Sequence, residues 1–243
     1  MSRLLIILLC IGFSLQFSTP EDNDYIAGVV EFTPELPTVN WGLRTVLHFD
    51  NYSKIIQDAG EKKVDILVFP EYTLNNVAFP VVIPNPADKI VPCIKSESFD
   101  NLVKDLSCLA KEHNLYLSVN LSEQEDCTEE SQLKRNDTRS CSRLGFSRFN
   151  TNVVFDRNGT VIARYRKWNL FREGGVNQTA TPELSVFETD FGVTFGQFIC
   201  FDLLFHEPAI QLIKMGIKNF IFPAMWVAEL PFLSCEFGVL KFK

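Results

Sequence analysis

Apolar and polar positions along the chain predict strands and helices in alternation. Apolar runs of roughly four to eight residues, typical of strands covered on both faces, lie at residues 25–32, 64–70, 115–119 and 218–223. Residues 39–60 and 98–112 instead carry apolar side chains at helical spacing, such as Leu43, Leu47 and Leu106. Because strands alternate with helices, the pattern predicts one α/β domain.

Two hairpins are predicted in the second half of the chain. Asn158-Gly159 lies between the runs 151–155 and 161–165, and this dipeptide is typical of a two-residue turn between antiparallel strands. A second hairpin is predicted to pair residues 184–188 with residues 193–199.

The amino terminus predicts a secretory signal peptide over residues 1–19. Met1-Ser2-Arg3 forms a short basic region, and residues 4–13 form an apolar segment of about ten residues, too short to span a bilayer. The alternative, a membrane anchor, is disfavoured because polar Gln16 and Ser18 follow closely. The remaining residues 20–243 are expected to form the α/β domain.

Five Asn-x-Ser/Thr sequons support export, since none has proline at its middle position. They lie at Asn51, Asn120, Asn136, Asn158 and Asn177. Asn158 falls in a predicted turn, an exposed place for a glycan. Asn120 ends an apolar strand, where burial would prevent its modification.

Composition excludes several classes of partner. Hydrophobic residues make up 46% of the 243 residues, enough for a sizeable core. The 23 basic and 30 acidic residues give a net charge of -7 without a dominant basic patch, which argues against nucleic acid. The three histidines are far apart, with no metal-ligand spacing and no phosphate-binding glycine loop. We therefore expect no metal and no cofactor.

Three reactive side chains follow predicted strands. Glu71 ends the run 64–70, Lys167 follows a strand predicted over 160–166, and Cys200 follows 193–199 just before a short helical pattern. Each has an ordinary interpretation: a surface carboxylate, a solvated cation and a buried structural thiol. Reactive groups of α/β sheets gather at the carboxyl ends of strands, however, and a helix amino terminus favours a thiolate. A base, an electrophilic stabiliser and a nucleophile would result.

The segments around these residues resemble the nitrilase superfamily, specifically its biotinidase/vanin branch. They are Phe69-Pro70-Glu71, residues 165–171 (Tyr-Arg-Lys-Trp-Asn-Leu-Phe) and residues 198–209, which contain Cys-Phe-Asp followed by Phe-His-Glu-Pro-Ala. The resemblance implies that Glu71 accepts a proton, Lys167 donates a proton or stabilises the oxyanion, and Cys200 attacks a small-molecule linear amide. It also suggests auxiliary roles for Glu173, a second glutamate soon after the lysine, and for the Phe201 backbone N–H.

The same resemblance implies a fold and a set of disulfides. The fold is a four-layer α-β-β-α sandwich, here incomplete at the C-terminus and without a second domain. The implied bridges are Cys93 with Cys108, and Cys127 with Cys141 across the polar stretch 123–143. Pairing Cys200 with Cys235 is the alternative that would remove the nucleophile. No lipid-anchor signal ends the chain, so a secreted protein is expected.

The substrate implied is pantetheine, giving pantothenate and cysteamine, or a biotin amide. The competing hypothesis is a catalytically inactive secreted glycoprotein that binds a partner through a remnant pocket. A papain-like protease is disfavoured because the chain lacks a Cys-Gly-Ser-Cys-Trp pattern and a suitable histidine after Cys200.

Overall fold

The computed structural model describes residues 16–34, 41–95, 99–134, 136–141, 143–226 and 238–241. Most of the predicted signal peptide, together with Cys10 and Cys235, lies outside these residues. Ser18, inside the predicted leader, donates its hydroxyl to Asp65 Oδ2 over 2.7 Å. The Phe17 ring lies 4.9 Å from the cationic groups of both Lys63 and Arg157.

Two sheets and four α-helices make up the described fold. The first sheet has the order β1-β2-β3-β4-β5, with strands β1 Ala27–Val29, β2 Ile66–Val68, β3 Tyr116–Asp126, β4 Phe146–Phe155 and β5 Val161–Arg166. The second has the order β6-β7-β8-β9, with strands β6 Ser185–Glu188, β7 Thr194–Gln197, β8 Asn219–Phe222 and β9 Gly238–Lys241. The helices are α1 Trp41–Glu61, α2 Asn101–Glu112, α3 Glu129–Lys134 and α4 Gln211–Lys214.

Three apolar clusters separate four layers, as the alternation along β2 illustrates. Leu67 joins a cluster formed with α1 and α2, whereas its neighbours Ile66 and Val68 face Phe195 and Ile221 of the second sheet. The third cluster packs the far side of the second sheet against residues 209–212. Successive strand residues point to opposite faces, so the continuous apolar runs supply two interfaces at once. The predicted α-β-β-α layering is confirmed.

Aromatic stacking fixes α1 on the first sheet. The Tyr52 and Phe69 rings are parallel within 14°, with centroids 3.8 Å apart, and both side chains are fully buried. Truncating a buried aromatic residue of this kind to alanine costs about 3–5 kcal/mol. The strand that leads to Glu71 is therefore rigidly supported.

The structure differs from the predicted pattern at four points. Strand β3 continues to Asp126, and α3 lies within the stretch predicted as loop. The first hairpin does not have a two-residue turn, because the Gly159 N–H donates to Asp156 O and the Asp156 N–H to Thr160 O. These bonds, with Gly159 at φ +78°, describe a longer turn closed by a bulge. Strand β9 was not predicted.

Both implied disulfides are present. Cys93 bonds to Cys108 and Cys127 to Cys141, with Cα separations of 4.9 and 5.6 Å. Cys200 is a free thiol, so its pairing with Cys235 is wrong. Among the described helices, none is long and apolar enough to cross a membrane.

Candidate active site

The three predicted reactive side chains meet at one end of the two sheets. Glu71 follows β2, Lys167 directly follows β5, and Cys200 follows β7. Lys167 Nζ lies 2.8 Å from Glu71 Oε1, and the two residues are each only 2% exposed. The interpretations of Glu71 as a surface carboxylate and Lys167 as a solvated cation are therefore wrong.

Both oxygens of Glu71 are held by hydrogen bonds. Oε1 accepts from Lys167 Nζ at 2.8 Å and from Asn150 Nδ2 at 2.7 Å. Oε2 accepts from the Met225 N–H at 3.0 Å. The Glu71 carboxylate is thus held from three directions, by donors on β4, at the end of β5 and in the segment after β8.

Lys167 lies between two carboxylates. Besides Glu71, its Nζ contacts Glu173 Oε1 at 2.5 Å. Burial acts to lower the pKa of Lys167, but the charges of Glu71 and Glu173 outweigh it and raise that pKa above its ordinary value. The side chain is therefore a permanent ammonium at neutral pH.

Cys200 is presented by a tight backbone turn rather than by an α-helix. Its φ is +48°, an uncommon conformation for a residue with a side chain. Its N–H donates to Pro223 O at 3.0 Å, and a short 3-10 segment, Cys200–Leu204, follows. Burial and the Glu71 charge raise the pKa of Cys200 well above its ordinary value, against an opposing effect of Lys167. The expectation that a helix amino terminus favours the thiolate is wrong: the resting group is a thiol.

A buried carboxylate ties the Cys200 turn to the segment after Lys167. Asp202 Oδ1 accepts from the backbone N–H and side-chain amide of Asn169, both at 2.8 Å. Its Oδ2 accepts from the Tyr165 hydroxyl at 2.8 Å and the Ile199 N–H at 3.1 Å. Burial raises the pKa of Asp202 to about 6, although these donors oppose the shift. Asp202 thereby connects two of the three strand ends.

The auxiliary residues differ in their placement. Glu173, expected from its proximity to the lysine, contacts Lys167 directly. The N–H of Phe201 lies in the first turn of the 3-10 segment, where such groups lack an acceptor within the helix. His206 is exposed and bonds to Glu207 and Lys214, so it does not form a pair with Cys200.

A cavity of about 250 Å³ adjoins the Glu173 side of the site. Its walls combine polar and apolar side chains: Arg44, His48, Tyr72, Leu74, Asn75 and Val176. A small organic molecule could lie there with one end near Glu173. Among the described residues, no group of histidine, cysteine and acidic side chains could hold a metal ion.

Three further residues complete the site, and local sequence patterns did not reveal them. Asn150 contacts both Glu71 and Glu173, Tyr72 donates its hydroxyl to Glu173, and the Met225 backbone contacts Glu71. Asn150 lies within β4, between predicted elements rather than at a strand end. Only the pairing of β4 with β3 and β5 brings it to the carboxylates.

The sequons fall into two groups. Asn51, Asn136, Asn158 and Asn177 are exposed. Asn120 is 1% exposed, and its Nδ2, the atom that a glycan would occupy, donates to Asn150 Oδ1 at 2.7 Å. Although Asn120 is one of the five predicted glycosylation sites, its burial leads us to expect no glycan there in the folded chain.

The chain is similar to known proteins over most of its length. Residues 46–232 match the family Carbon-nitrogen hydrolase. Vanin-like protein 2 of Drosophila melanogaster is 44% identical over 239 residues, covering 97% of this chain and 43% of the relative. Biotinidase of Homo sapiens is 34% identical over 199 residues, covering 77% of this chain and 35% of the relative. The chain therefore spans about two fifths of the length of these relatives.

Solved structures share the fold at low identity. An amidase from Nesterenkonia sp. superposes with a TM-score of 0.59 and 17% identity, covering 90% of this chain and 70% of the amidase. Nit3 of Saccharomyces cerevisiae, a member of branch 10 of the nitrilase superfamily, gives a TM-score of 0.54 with 19% identity over 74% of this chain and 59% of Nit3. The described sandwich is thus a nitrilase-like fold.

Proposed function

Because the chain belongs to the carbon-nitrogen hydrolase family, we propose that it cleaves a linear amide C–N bond through a covalent thioester on Cys200. The observation that carries this proposal is the buried contact of Glu71 with Lys167 beside a free thiol. A carboxylate, an ammonium and a thiol supply a base, an electrostatic stabiliser and a nucleophile.

The first half of the proposed reaction forms the thioester. Glu71 accepts the thiol proton as the sulfur of Cys200 attacks the amide carbonyl carbon, giving a tetrahedral oxyanion. The protonated Glu71 then donates the same proton to the amine nitrogen, the C–N bond breaks, and free amine leaves. The raised pKa of Cys200 is compatible with this sequence, because thiolate forms only as the proton moves to Glu71.

Lys167 and Phe201 are the proposed oxyanion stabilisers. An ammonium has three N–H donors, and the described contacts of Lys167 Nζ use two, to Glu71 and Glu173. The third donor and the Phe201 N–H can face the developing oxyanion, an interaction worth about 2.7–4 kcal/mol per donor in acyl transfer.

The second half of the reaction hydrolyses the thioester. Glu71 accepts a proton from water as the water oxygen attacks the thioester carbonyl, and the C–S bond then breaks. The proton returns to the sulfur, which regenerates the Cys200 thiol and releases a carboxylic acid. Glu173 holds Lys167 in place throughout, since its carboxylate contacts the ammonium.

For the substrate we propose pantetheine, giving pantothenate and cysteamine, or a biotin amide. Similarity to vanin-like proteins and to biotinidase supports this class. We also propose a secreted glycoprotein, in line with two disulfides and four exposed sequons. The contacts of Phe17 and Ser18 with the domain favour a leader that ends before Phe17 rather than at residue 19.

The decisive experiment measures release of cysteamine from pantetheine, and of biotin from a biotin amide, by Cys200→Ala and Cys200→Ser variants. We expect turnover to fall by at least about a thousandfold, as when other covalent nucleophiles are removed. Wild-type protein quenched during turnover should carry the acyl group on the peptide that contains Cys200.

A matched control is His206→Ala, which removes an exposed histidine six positions after the nucleophile. This variant should retain turnover, because His206 bonds only to surface groups. Wild-type turnover in the Cys200→Ala and Cys200→Ser variants would contradict the mechanism. A folded wild-type protein without turnover of either amide would instead favour the inactive glycoprotein hypothesis.

A further inference from the structure

A buried amide on β4 bridges the two carboxylates that flank Lys167. Asn150 is 1% exposed, and its Nδ2 donates to Glu71 Oε1 at 2.7 Å and to Glu173 Oε2 at 3.0 Å. A side-chain amide has two N–H donors, so both are used on the carboxylates. The backbone O of Asn150 also accepts from the Lys167 N–H at 2.8 Å, which aligns the two residues across the strands.

The orientation of this amide is set by a second one. Asn120 Nδ2 donates to Asn150 Oδ1 at 2.7 Å, so the oxygen of Asn150 must face Asn120 and its nitrogen must face the carboxylates. Asn120 Oδ1 in turn accepts from the Tyr72 backbone N–H at 2.9 Å. A backbone N–H can only donate, which fixes the direction of every bond in the series.

This series of hydrogen bonds therefore begins at Tyr72, the residue next to Glu71, and ends at the Glu71 carboxylate. The Tyr72 N–H orients Asn120, Asn120 orients Asn150, and Asn150 directs both donors at Glu71 and Glu173. The amides of Asn120 and Asn150 are both buried away from competing water, where hydrogen bonds to a charged acceptor are strongest.

We propose that Asn150 is a positioning residue, oriented by Asn120, that holds the carboxylates of Glu71 and Glu173 in place on either side of Lys167. This inference rests on the proposed amidase function. Its two N–H donors fix both carboxylates that contact the Lys167 ammonium, so Glu71 stays aligned to accept the thiol proton. Asn150 itself contacts neither the sulfur nor the proposed oxyanion site.

The test compares Asn150→Ala with Asn152→Ala. Asn152 lies two positions further along β4, is fully buried, and donates to Ser118 and Gln197 instead of the carboxylates. For Asn150→Ala we expect kcat to fall about 10- to 100-fold, part of the 10²–10⁴-fold that a positioned base supplies.

A second variant tests the direction of the series. In Asn120→Asp, both carboxylate oxygens are acceptors, so the Asn150 amide must turn its nitrogen toward position 120 and its oxygen toward Glu71. We expect Asn120→Asp to lose at least as much kcat as Asn150→Ala. If Asn150→Ala matched Asn152→Ala in kcat, the positioning role would be overturned, although Cys200-dependent turnover stood.

Alkylation of Cys200 can be measured without turnover, so it tests the positioning role of Asn150 separately from the proposed amidase function. The pH dependence of iodoacetamide alkylation at Cys200 reports the charge balance of the cluster directly. With two N–H dipoles removed from the cluster, the Cys200 thiolate is less favoured, so the Asn150→Ala curve should move to higher pH than the Asn152→Ala curve. Coincident curves would overturn the positioning role even in a protein without amidase activity.

Discussion

At the residue scale, the main feature of Cys200 is that its surroundings keep it protonated. Burial and the charge of Glu71 raise its pKa, whereas Lys167 acts to lower it. A thiol of this kind is protected from adventitious reaction and becomes nucleophilic when Glu71 takes its proton. This differs from cysteine sites in which a histidine or a helix amino terminus holds a standing thiolate.

Single charge changes around the thiol should therefore have opposite effects on its reactivity. Glu71→Gln removes a negative charge, so we expect the pKa of Cys200 to fall and iodoacetamide alkylation at pH 8 to become faster. Lys167→Gln removes the opposing positive charge and should slow alkylation. Mass spectrometry of the peptide that contains Cys200 distinguishes its labelling from that of Cys235.

The same Glu71→Gln variant should lose amide turnover despite its more reactive thiol, because no carboxylate remains at position 71 to act as the base. Faster labelling with slower catalysis is the combination that identifies Glu71 as a base rather than as a purely structural ion-pair partner. Slower labelling in Glu71→Gln than in wild type would contradict the charge assignment.

The sequence could predict these three residues because each directly follows a predicted strand and lies in a segment that resembles the family. It could not predict Asn150, which is one of several asparagines in a polar stretch and gains its role only through strand pairing. Nor could it predict the Cys200 pKa, because the helical pattern after Cys200 forms a 3-10 segment and the neighbouring charge comes from a residue 129 positions earlier in the chain.

At the element scale, an ion-pair network crosses the first sheet from β3 to β5. Glu123 is 1% exposed and accepts from Arg166 and Arg164 on β5 and from Thr151 on β4. Burial alone would raise the pKa of Glu123, but the two guanidinium groups and their hydrogen bonds lower it to about 2. The network joins three neighbouring strands beside the strand end that bears Lys167.

This network predicts a specific acid sensitivity. A carboxyl group with a folded pKa near 2 and an ordinary value of 4.5 contributes stability above pH 4.5 that is lost as the pH falls toward 2. The contribution is on the order of 3 kcal/mol. Chemical denaturation of Glu123→Gln between pH 3 and 6 should therefore show a shallower loss of unfolding free energy with acid than wild type shows.

The variant should also be less stable than wild type near pH 7, by up to about 3–5 kcal/mol, because buried Arg166 loses the charge of Glu123 and keeps the ion pair with the more exposed Glu125. Glu188→Gln, which alters an exposed carboxylate at the end of β6, is the control and should follow the wild-type curve. Parallel pH curves for wild type and Glu123→Gln would contradict the assigned pKa.

Glu123 also shows why the extent of β3 was not predicted. Residues 122–126 are rich in acidic side chains, a composition typical of solvent-exposed loops, and the arginines that neutralise them lie about forty positions later in the chain. The apolar parts of the same strands were predictable because burial is encoded locally by continuous hydrophobic runs. The polar end of β3, by contrast, depends on residues of other strands that are distant in sequence.

At the scale of the whole molecule, the four layers place the reactive groups at one end of the sandwich and the disulfides in the segments around the first sheet. Cys93–Cys108 fastens the segment before α2 to that helix, and Cys127–Cys141 closes the excursion between β3 and β4. The order of layers was predictable from strand and helix alternation together with the family resemblance. The strand order in each sheet was not, because it depends on contacts distant in sequence.

The fold also predicts which sequons can carry glycans when the protein passes through the secretory pathway. We expect occupancy at Asn51, Asn136, Asn158 and Asn177, whose side chains are exposed, and none at Asn120. Enzymatic deglycosylation in heavy-oxygen water, followed by peptide mass spectrometry, marks each formerly occupied asparagine with a mass increment.

Asn120 is the informative site, because its sequon is complete and only the fold forbids modification. Its Nδ2 donates to Asn150 in the buried series behind Glu71, so a glycan there would separate β3 from the carboxylates. Asn120→Gln removes the sequon and should leave the glycan mass unchanged, whereas Asn158→Gln should lower it by one glycan. A glycan on Asn120 in folded, secreted protein would contradict the packing of the two strands around the site.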